Sequence, residues 1–334
     1  MAFPRRSDKT VGMGSRNLKL LIESRWPETN PVAVTEQLGA AGLDDRVLTA
    51  AVRSGTLLRL RRGAYIRAAE WTSMKPWEQD KMRVQAHFLT TNAASTYSHV
   101  TAARLHECWV WKGGHKVHVT LPFGTSRSNH GPDVMPHHLA LAPPDVVLLS
   151  ARSGRPIRTT SLERTVLDCA RSLEFPNAVI IGDHALRKGL TIEGLYSALD
   201  SDPVKRGSAR ARRVLGALDS RSESAGESRT RLLLRGLAIP QPEPQFSIAT
   251  ESGTFRADFA WKECKLILEF DGKYKYFDFR PTDEAVFEER HREKRLMELG
   301  WKFIRIEWSD LERPYELQAR VVSALGRSRT SKAA

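Results

Sequence analysis

The chain has 334 residues, of which 41% are hydrophobic and 27% are charged, as in ordinary globular proteins. This length suits two or three domains better than one compact core. No apolar run is long enough to span a bilayer, and the N-terminus lacks the apolar region of a signal peptide. Three widely spaced cysteines fit a reducing compartment. We therefore expect a cytoplasmic protein with no membrane partner.

The chain is strongly basic, with a formal net charge of +13 and a sequence pI near 9.9. An excess of this size favours a polyanionic partner, because phosphate contacts release counterions. The simpler interpretation is that the charge only maintains solubility. Because the arginines occur in neighbouring pairs, we favour a nucleic acid, and DNA is the predicted partner.

After a flexible basic arm over residues 1–14, residues 15–70 are predicted to form three short helices and a β-hairpin. The second helix is predicted over residues 31–38, and the third begins after Asp44, a favourable N-cap. Apolar and basic residues alternate on both sides of Gly63, which predicts the hairpin.

Three helices followed by a basic hairpin are typical of a winged helix-turn-helix, whose third helix enters the major groove while the hairpin contacts phosphate. The alternative is a small helical module that docks another protein and exposes its arginines to solvent. The six candidate DNA-binding residues are Arg46, Arg53, Arg59, Arg61, Arg62 and Arg67.

Residues 74–220 are predicted to form a middle domain of the α+β class. Helices are expected over residues 79–89, 95–105 and 177–188, and a strand over residues 116–122. No catalytic pattern is present in this segment. The ten histidines of the chain come with no cysteine pairs and no HExxH motif, so the sequence argues against a zinc site.

Residues 222–325 contain, in order, a helix, three strand-like runs, a charged helix and a final strand-like run, followed by a tail over residues 326–334. The order α, β, β, β, α, β predicts a mixed sheet flanked by helices. The fold class predicted for the whole chain is therefore α/β and multi-domain.

Two acidic residues lie on neighbouring runs of this last segment. Alternation from Phe255 to Phe259 is expected to bury the odd-numbered side chains on one face and to turn Asp258 to the other. On the next run, Glu269 and Asp271 share a face. Converging carboxylates at the end of an apolar strand are costly unless a cation neutralises them. Such oxygen ligands suit Mg²⁺ or Mn²⁺, which can support phosphodiester hydrolysis.

This arrangement resembles the PD-(D/E)XK nuclease superfamily. The sequence around Glu269 and the closing strand over residues 300–308 are similar to its branch related to very-short-patch-repair endonucleases. The resemblance implies that Asp258 and Glu269 bind a metal, with the Phe270 carbonyl as a third oxygen. It also implies that Glu227, on the preceding helix, is a direct or water-linked ligand.

One position departs from the superfamily pattern. The lysine expected two residues after the glutamate is Asp271 here, which still joins the candidate catalytic set. Lys273 in the following turn, or Lys294 in the next helix, is the candidate to replace that lysine. The substitution leaves the predicted fold unaffected but leaves catalysis open.

Each acidic residue also has a structural interpretation. Glu227 completes a capping box with Ser224, and Asp271 begins a turn with Gly272. Asp258 is a candidate for an ion pair with Arg256 or Arg305.

The front and middle of the chain resemble the AbiEi family of toxin–antitoxin proteins, through the hairpin at residues 57–65 and residues 98–106. The resemblance implies a winged helix that represses its own promoter and a second domain that neutralises a cognate toxin protein.

The two resemblances lead to two candidate functions: a Mg²⁺-dependent DNA endonuclease, or a non-catalytic repressor or antitoxin. A homodimer matching a two-fold operator is compatible with both.

Overall fold

The computed structural model describes residues 15–27, 30–91, 95–122, 130–150, 154–250, 253–272 and 283–330. These residues form thirteen α-helices and twelve β-strands in three sheets, which confirms an α/β chain of more than one domain. The chain divides into two compact units, one built from residues 1–102 and 114–161 and the other from residues 103–113 and 162–334. Within the described part, no helix has both the length and the apolar character needed to cross a membrane.

The first unit begins with helices around a three-stranded antiparallel sheet. Its elements are α1 Ser15–Arg25, β1 Val32–Val34, α2 Thr35–Ala40, α3 Asp45–Arg53, β2 Leu57–Arg61, β3 Ala64–Arg67, α4 Ala68–Ser73 and α5 Pro76–Thr90. The strand order is β1-β3-β2. Helix α3 begins where the Asp44 carboxylate accepts the N–H of Val47 at 2.9 Å, as the sequence predicts. The hairpin turns at Gly63, whose φ of 83° is readily adopted only by glycine.

A five-stranded mixed sheet completes the first unit. Its strands are β4 Thr96–Tyr97, β5 Val117–Leu121, β6 Val134–His138, β7 Val146–Leu149 and β8 Ile157–Thr160, and α6 His99–Leu105 follows β4. The strand order is β6-β5-β4-β8-β7. Strand β5 pairs in parallel with β6 and antiparallel with β4.

The second unit contains a helical layer and a four-stranded sheet. Its elements are α7 Leu162–Ser172, α8 Phe175–Arg187, α9 Ile192–Ser201, α10 Ser208–Leu215, α11 Ala225–Gly236, β9 Glu243–Thr250, β10 Gly253–Trp261, β11 Leu266–Phe270, α12 Asp283–Glu298, β12 Lys302–Ile306 and α13 Pro314–Thr330. The sheet order is β12-β11-β10-β9, with only β11 and β12 parallel. Helices α11 and α13 contribute to the core on one face, and α12 contributes to the core on the other.

For two segments, the prediction of a single helix is wrong in part. Residues 32–34 form strand β1 instead of opening the helix predicted over residues 31–38, because Val32 pairs with Ile66 of the hairpin and is fully buried. Within residues 95–105, strand β4 precedes the helix, and the backbone of His99 is left-handed at a φ of 51°. In both cases cross-strand pairing decides the local conformation.

The predicted alternation along β10 is also wrong. Phe255 and Ala257 lie in the core beside α12, whereas Phe259 lies in the core beside α11 and α13. The change of face occurs opposite Gln245 of β9, whose φ is 53°. A left-handed residue within a strand breaks the regular pleat, so side chains before and after it no longer share a face. Asp258 lies at this irregular position.

A buried ion pair joins α8 to α11. Asp183 is fully buried, and its carboxylate lies 2.7 Å from Nη2 of Arg231. Arg231 also donates to the carbonyl of Ala217 at 2.8 Å, and the other carboxylate oxygen of Asp183 accepts the N–H of Asp219. Charges removed from water are tolerated only when they are paired and hydrogen-bonded in this way.

The substitution Asp183→Asn is expected to lower the free energy of unfolding by about 3 kcal/mol, because it leaves the Arg231 charge buried without its counter-charge. The measurement is urea unfolding of the full chain. Arg221→Ala is the matched control, since Arg221 is 54% exposed in its pair with Asp219 and its loss is expected to change stability by less than about 1 kcal/mol. Equal effects of the two substitutions would contradict the structural role of the buried pair.

Candidate functional site

Asp258 and the end of β11 meet across two neighbouring strands. Strands β10 and β11 are antiparallel, and their register ends with Phe259 opposite Leu268, the residues that adjoin Asp258 and Glu269. The Asp258 carboxylate accepts the backbone N–H of Phe270 at 2.9 Å. This hydrogen bond ties the Asp258 side chain to the end of β11, one residue beyond Glu269.

Glu227 approaches this strand end from the first turn of α11. Its N–H donates to the Ser224 hydroxyl at 3.1 Å, which is the predicted N-cap. Its carboxylate, however, accepts the N–H of Glu223 and the side-chain amide of Gln245, both at 2.8 Å. Capping accounts for the backbone of this helix start, but the carboxylate also faces the irregular position of the sheet.

The electrostatics of the two carboxylates reflect burial and mutual repulsion. Burial, followed by the charge of Asp258, raises the pKa of Glu227 to about 7. Burial also raises the pKa of Asp258, while the hydrogen bond from the Phe270 N–H acts in the opposite direction. Two acidic groups held together in a poorly solvated place favour either a proton or a cation between them.

Arginines surround the acidic groups without pairing them in the way that the sequence suggests. Arg256 lies 2.5 Å from Glu223. Arg305 lies 3.7 Å from Glu269 and 3.0 Å from Glu293 of α12. The ion pairs predicted for Asp258 with Arg256 or Arg305 are therefore replaced by pairs with other carboxylates. The sequence did not indicate Glu293 as a partner of Arg305, because nothing in it fixes how α12 is rotated about its own axis.

Asp271 occupies the position where the superfamily pattern has a lysine. The N–H of Asp271 donates to the carbonyl of Ile306 at 2.8 Å, which holds the end of β11 to β12. Lys273 lies outside the described residues. Lys294 is 75% exposed, with its amine 4.0 Å from Glu298 on the same helix. Within the described part of the chain, the cationic side chain measured beside Glu269 is Arg305, whose Nε lies 3.7 Å from the carboxylate.

The oxygen donors fit a hard divalent cation held by few protein ligands. Within the described residues, the carboxylates of Glu227, Asp258 and Glu269 do not all come within 4.8 Å of one another. Mg²⁺ usually keeps several waters and uses one or two carboxylates, so it does not need all three in direct contact. Burial first, and neighbouring acidic groups second, raise the pKa of Glu227 and of Asp258, and such a cation would stabilise their ionised forms. Asp258 and Glu269 are the direct candidates, and Glu227 suits a water-linked role.

A second candidate site is the basic surface near the start of the chain. Arg46 and Arg53 of α3 are exposed, as are Arg59 of β2 and Arg62 of the hairpin turn. The buried residues of α3 include Val47, Leu48 and Ala51, so this helix attaches to its core through an apolar face.

The other two predicted DNA-binding arginines contact their own unit. Arg61 lies 3.5 Å from Asp133, with its side chain only 15% exposed. Arg67 makes two hydrogen bonds to Glu70, at 2.9 and 3.1 Å, and its guanidinium lies 5.6 Å from the centre of the Trp26 ring. These contacts give both arginines structural roles.

Sequence comparison provides relatives without a described function. No protein-family model matches the chain. Two curated relatives, both uncharacterized proteins of Mycobacterium tuberculosis (strains CDC 1551 / Oshkosh and ATCC 25618 / H37Rv), are 33% identical over 168 residues. The match covers 49% of this chain and 60% of each relative, so the chain spans about three fifths of the length of the curated relatives it matches.

Structure comparison finds the crystal structure of the RV2827C protein from Mycobacterium tuberculosis, at 15% sequence identity and a TM-score of 0.38. The match covers 71% of this chain and 88% of that chain. A similarity at this level carries no argument about function. The function is therefore argued from the sites alone.

The raised pKa of Glu227 predicts a pH dependence of stability that Glu227→Gln removes. The folded chain holds this proton up to a pKa of about 7, whereas the ordinary value is 4.5. Since the folded state binds the proton more tightly, this group lowers the free energy of unfolding as pH rises between these values. In the presence of a chelator, the glutamine variant is expected to gain on the order of 2 kcal/mol relative to wild type between about pH 5 and pH 8. Urea unfolding at both values checks this, and parallel pH profiles would contradict it.

Proposed function

We propose that this chain is a DNA-binding protein whose last segment is a Mg²⁺-dependent endonuclease-like domain that hydrolyses DNA phosphodiester bonds. The observation that carries the proposal is the contact between the Asp258 carboxylate and the Phe270 N–H, which joins one acidic residue to the strand end that bears Glu269. Glu227, with its pKa raised to about 7, adds a third acidic group from α11.

The order of elements in the second unit supports a PD-(D/E)XK-like domain. Helix α11 precedes three antiparallel strands, and α12 then leads to β12, which pairs in parallel with β11. This is the α, β, β, β, α, β order predicted from the sequence. A bound Mg²⁺ or Mn²⁺ would supply positive charge against the charge that develops on a phosphodiester during hydrolysis. Asp258 and Glu269 would hold the ion, and Arg305 would position Glu269 through its contacts with Glu269 and Glu293.

The first three helices and the hairpin support a winged helix-turn-helix for DNA binding. Helix α3 buries one face and exposes Arg46 and Arg53, as a helix that enters a major groove requires. Exposed Arg59 and Arg62 on the hairpin suit contacts with phosphate. A DNA partner implies a cytoplasmic location, and a homodimer would match a two-fold operator.

One observation favours a second candidate function. Asp271 occupies the place of the superfamily lysine, and the amine of Lys294 lies 4.0 Å from the carboxylate of Glu298. A chain that lacks this lysine fits a transcriptional repressor or antitoxin of the AbiE type, with a cognate toxin protein as its partner. In this alternative the acidic cluster would bind a cation or a protein without cutting DNA.

Cleavage of plasmid DNA by the full chain with Mg²⁺ or Mn²⁺ tests the first function. The variants Asp258→Asn and Glu269→Gln are expected to abolish cleavage and to retain DNA binding, measured by fluorescence anisotropy. Asparagine at position 258 keeps an oxygen for the Phe270 N–H, so the strand end is expected to stay folded. Glu298→Gln, an exposed acidic position of the same unit, is the control and is expected to cut normally.

The outcomes separate the two functions. Cutting that disappears in both site variants but not in Glu298→Gln establishes the endonuclease. DNA binding without cutting under either metal, in wild type as in the variants, rejects the endonuclease and favours the repressor or antitoxin.

DNA binding by the basic surface is tested separately through its salt dependence. Each phosphate contact contributes about 0.9 to the slope of log affinity against log salt. The double variant Arg53→Ala/Arg62→Ala is therefore expected to bind more weakly, with a slope smaller by about 2. Arg16→Ala, an exposed arginine on α1, is the matched control and is expected to leave the slope unchanged. A slope unchanged in the double variant, or reduced equally by the control, would contradict this interface.

A further inference from the structure

Three histidines of the first unit come together although the sequence gives no sign of it. Among the described residues, His99, His118 and His137 are the group of three or more metal-ligating side chains whose ligand atoms all lie within 4.8 Å of one another. They belong to three elements: His99 opens α6, His118 lies in β5, and His137 lies in β6. This cluster is independent of the proposed nuclease and DNA-binding sites.

The parallel pairing of β5 with β6 determines the positions of two of the three imidazoles. Thr120 is opposite His137 in the register, and His118 is two residues before Thr120, so all three side chains point to one side of the sheet. Nδ1 of His118 lies 3.0 Å from Nε2 of His137. Two ring nitrogens therefore face each other at nearly the separation that two ligands of one metal ion would have.

The third imidazole is held in place by a strained backbone and a buried hydroxyl. His99 adopts a φ of 51°, a left-handed conformation that is unfavourable for a residue with a side chain. Its Nδ1 lies 3.0 Å from the hydroxyl of Ser98, which is fully buried. Its ring stacks on that of His137 with centroids 3.5 Å apart. Strain of this kind is often found where a side chain must be positioned for function.

A buried hydroxyl beside the cluster adds an independent sign of an occupant. Thr120 is 4% exposed, and within the described part of the chain its Oγ1 has no hydrogen-bond partner. A buried hydroxyl without a partner is costly, and proteins usually provide one for it. Because Thr120 faces the same side of β5 as His118, a polar occupant among the imidazoles could satisfy this hydroxyl.

We propose that His99, His118 and His137 bind a Zn²⁺ ion. Imidazole nitrogens suit zinc and its neighbours in the transition series, whereas Mg²⁺ prefers oxygen ligands. Zinc–nitrogen bonds of about 2.0 Å in a tetrahedral arrangement place two nitrogens about 3.3 Å apart, close to the observed 3.0 Å. Three histidines leave the fourth position of a tetrahedral ion for another ligand. The Ser98 hydroxyl orients His99 in the manner usual for groups behind a metal ligand.

The test is Zn²⁺ binding by the full chain after treatment with a chelator. We expect one equivalent of zinc to bind, by isothermal titration calorimetry and elemental analysis, and His118→Gln and His137→Gln to lose that equivalent. Ser98→Ala is expected to weaken binding about tenfold. His115→Gln is the control, because His115 is 68% exposed and contacts Asp80 outside the cluster, so it should bind zinc like wild type. Asp258→Asn should also bind normally, which separates this site from the carboxylates.

Replacement of zinc by Co²⁺ provides a spectroscopic signature that histidines would not give if they only stabilised the fold. Four-coordinate Co²⁺ bound to imidazoles gives strong visible absorption, which the glutamine variants should lose and His115→Gln should retain. Circular dichroism of each variant establishes that it is folded. The proposal is overturned if wild type binds no stoichiometric zinc, or if folded His118→Gln and His137→Gln bind zinc and Co²⁺ as wild type does.

Discussion

The buried ion pair between Asp183 and Arg231 is the constraint on which the geometry of the acidic cluster depends. Arg231 lies one helical turn after Glu227 on α11, so the pair that anchors Arg231 also sets where Glu227 meets the sheet. The helix approaches the sheet closely: a Cβ at Gly226 would come within 1.9 Å of the Phe270 ring. The paired charge of Arg231 in the middle of α11 and the close glycine contact at its start leave this helix little freedom to shift.

The distribution of charge around the cluster follows from that placement. Glu223 and Glu269 are matched by Arg256 and Arg305, which are more exposed than the carboxylates they contact. Glu227 and Asp258 instead accept hydrogen bonds from N–H groups. Burial raises the pKa of both residues, and these hydrogen bonds offset the increase only in part. The buried acidic pair is the physical basis of the proposed cation site.

Local signals in the sequence predicted much of the fold. Asp44 and Ser224 cap the helices that follow them, and Gly63 marks the hairpin turn, because each acts through contacts within a few residues. The errors lie where distant pairing decides the conformation. Val32 is extended because it pairs with the hairpin, and Gln245 breaks the alternation that the apolar pattern of β10 implies.

The same distinction separates the candidate acidic site, which the sequence predicted, from the histidine cluster, which it did not. Asp258 and Glu269 lie on antiparallel strands joined by a short connection, and they adjoin the paired residues Phe259 and Leu268, so their spacing in the sequence is informative. His118 and His137 meet only because β5 and β6 pair in parallel, and the start of α6 then adds His99. No spacing rule anticipates such a set, since a parallel pair can be joined by a connection of any sufficient length. Donor chemistry then distinguishes the two sites, because carboxylates select hard cations whereas imidazoles select zinc, so one ion need not compete for the other's site.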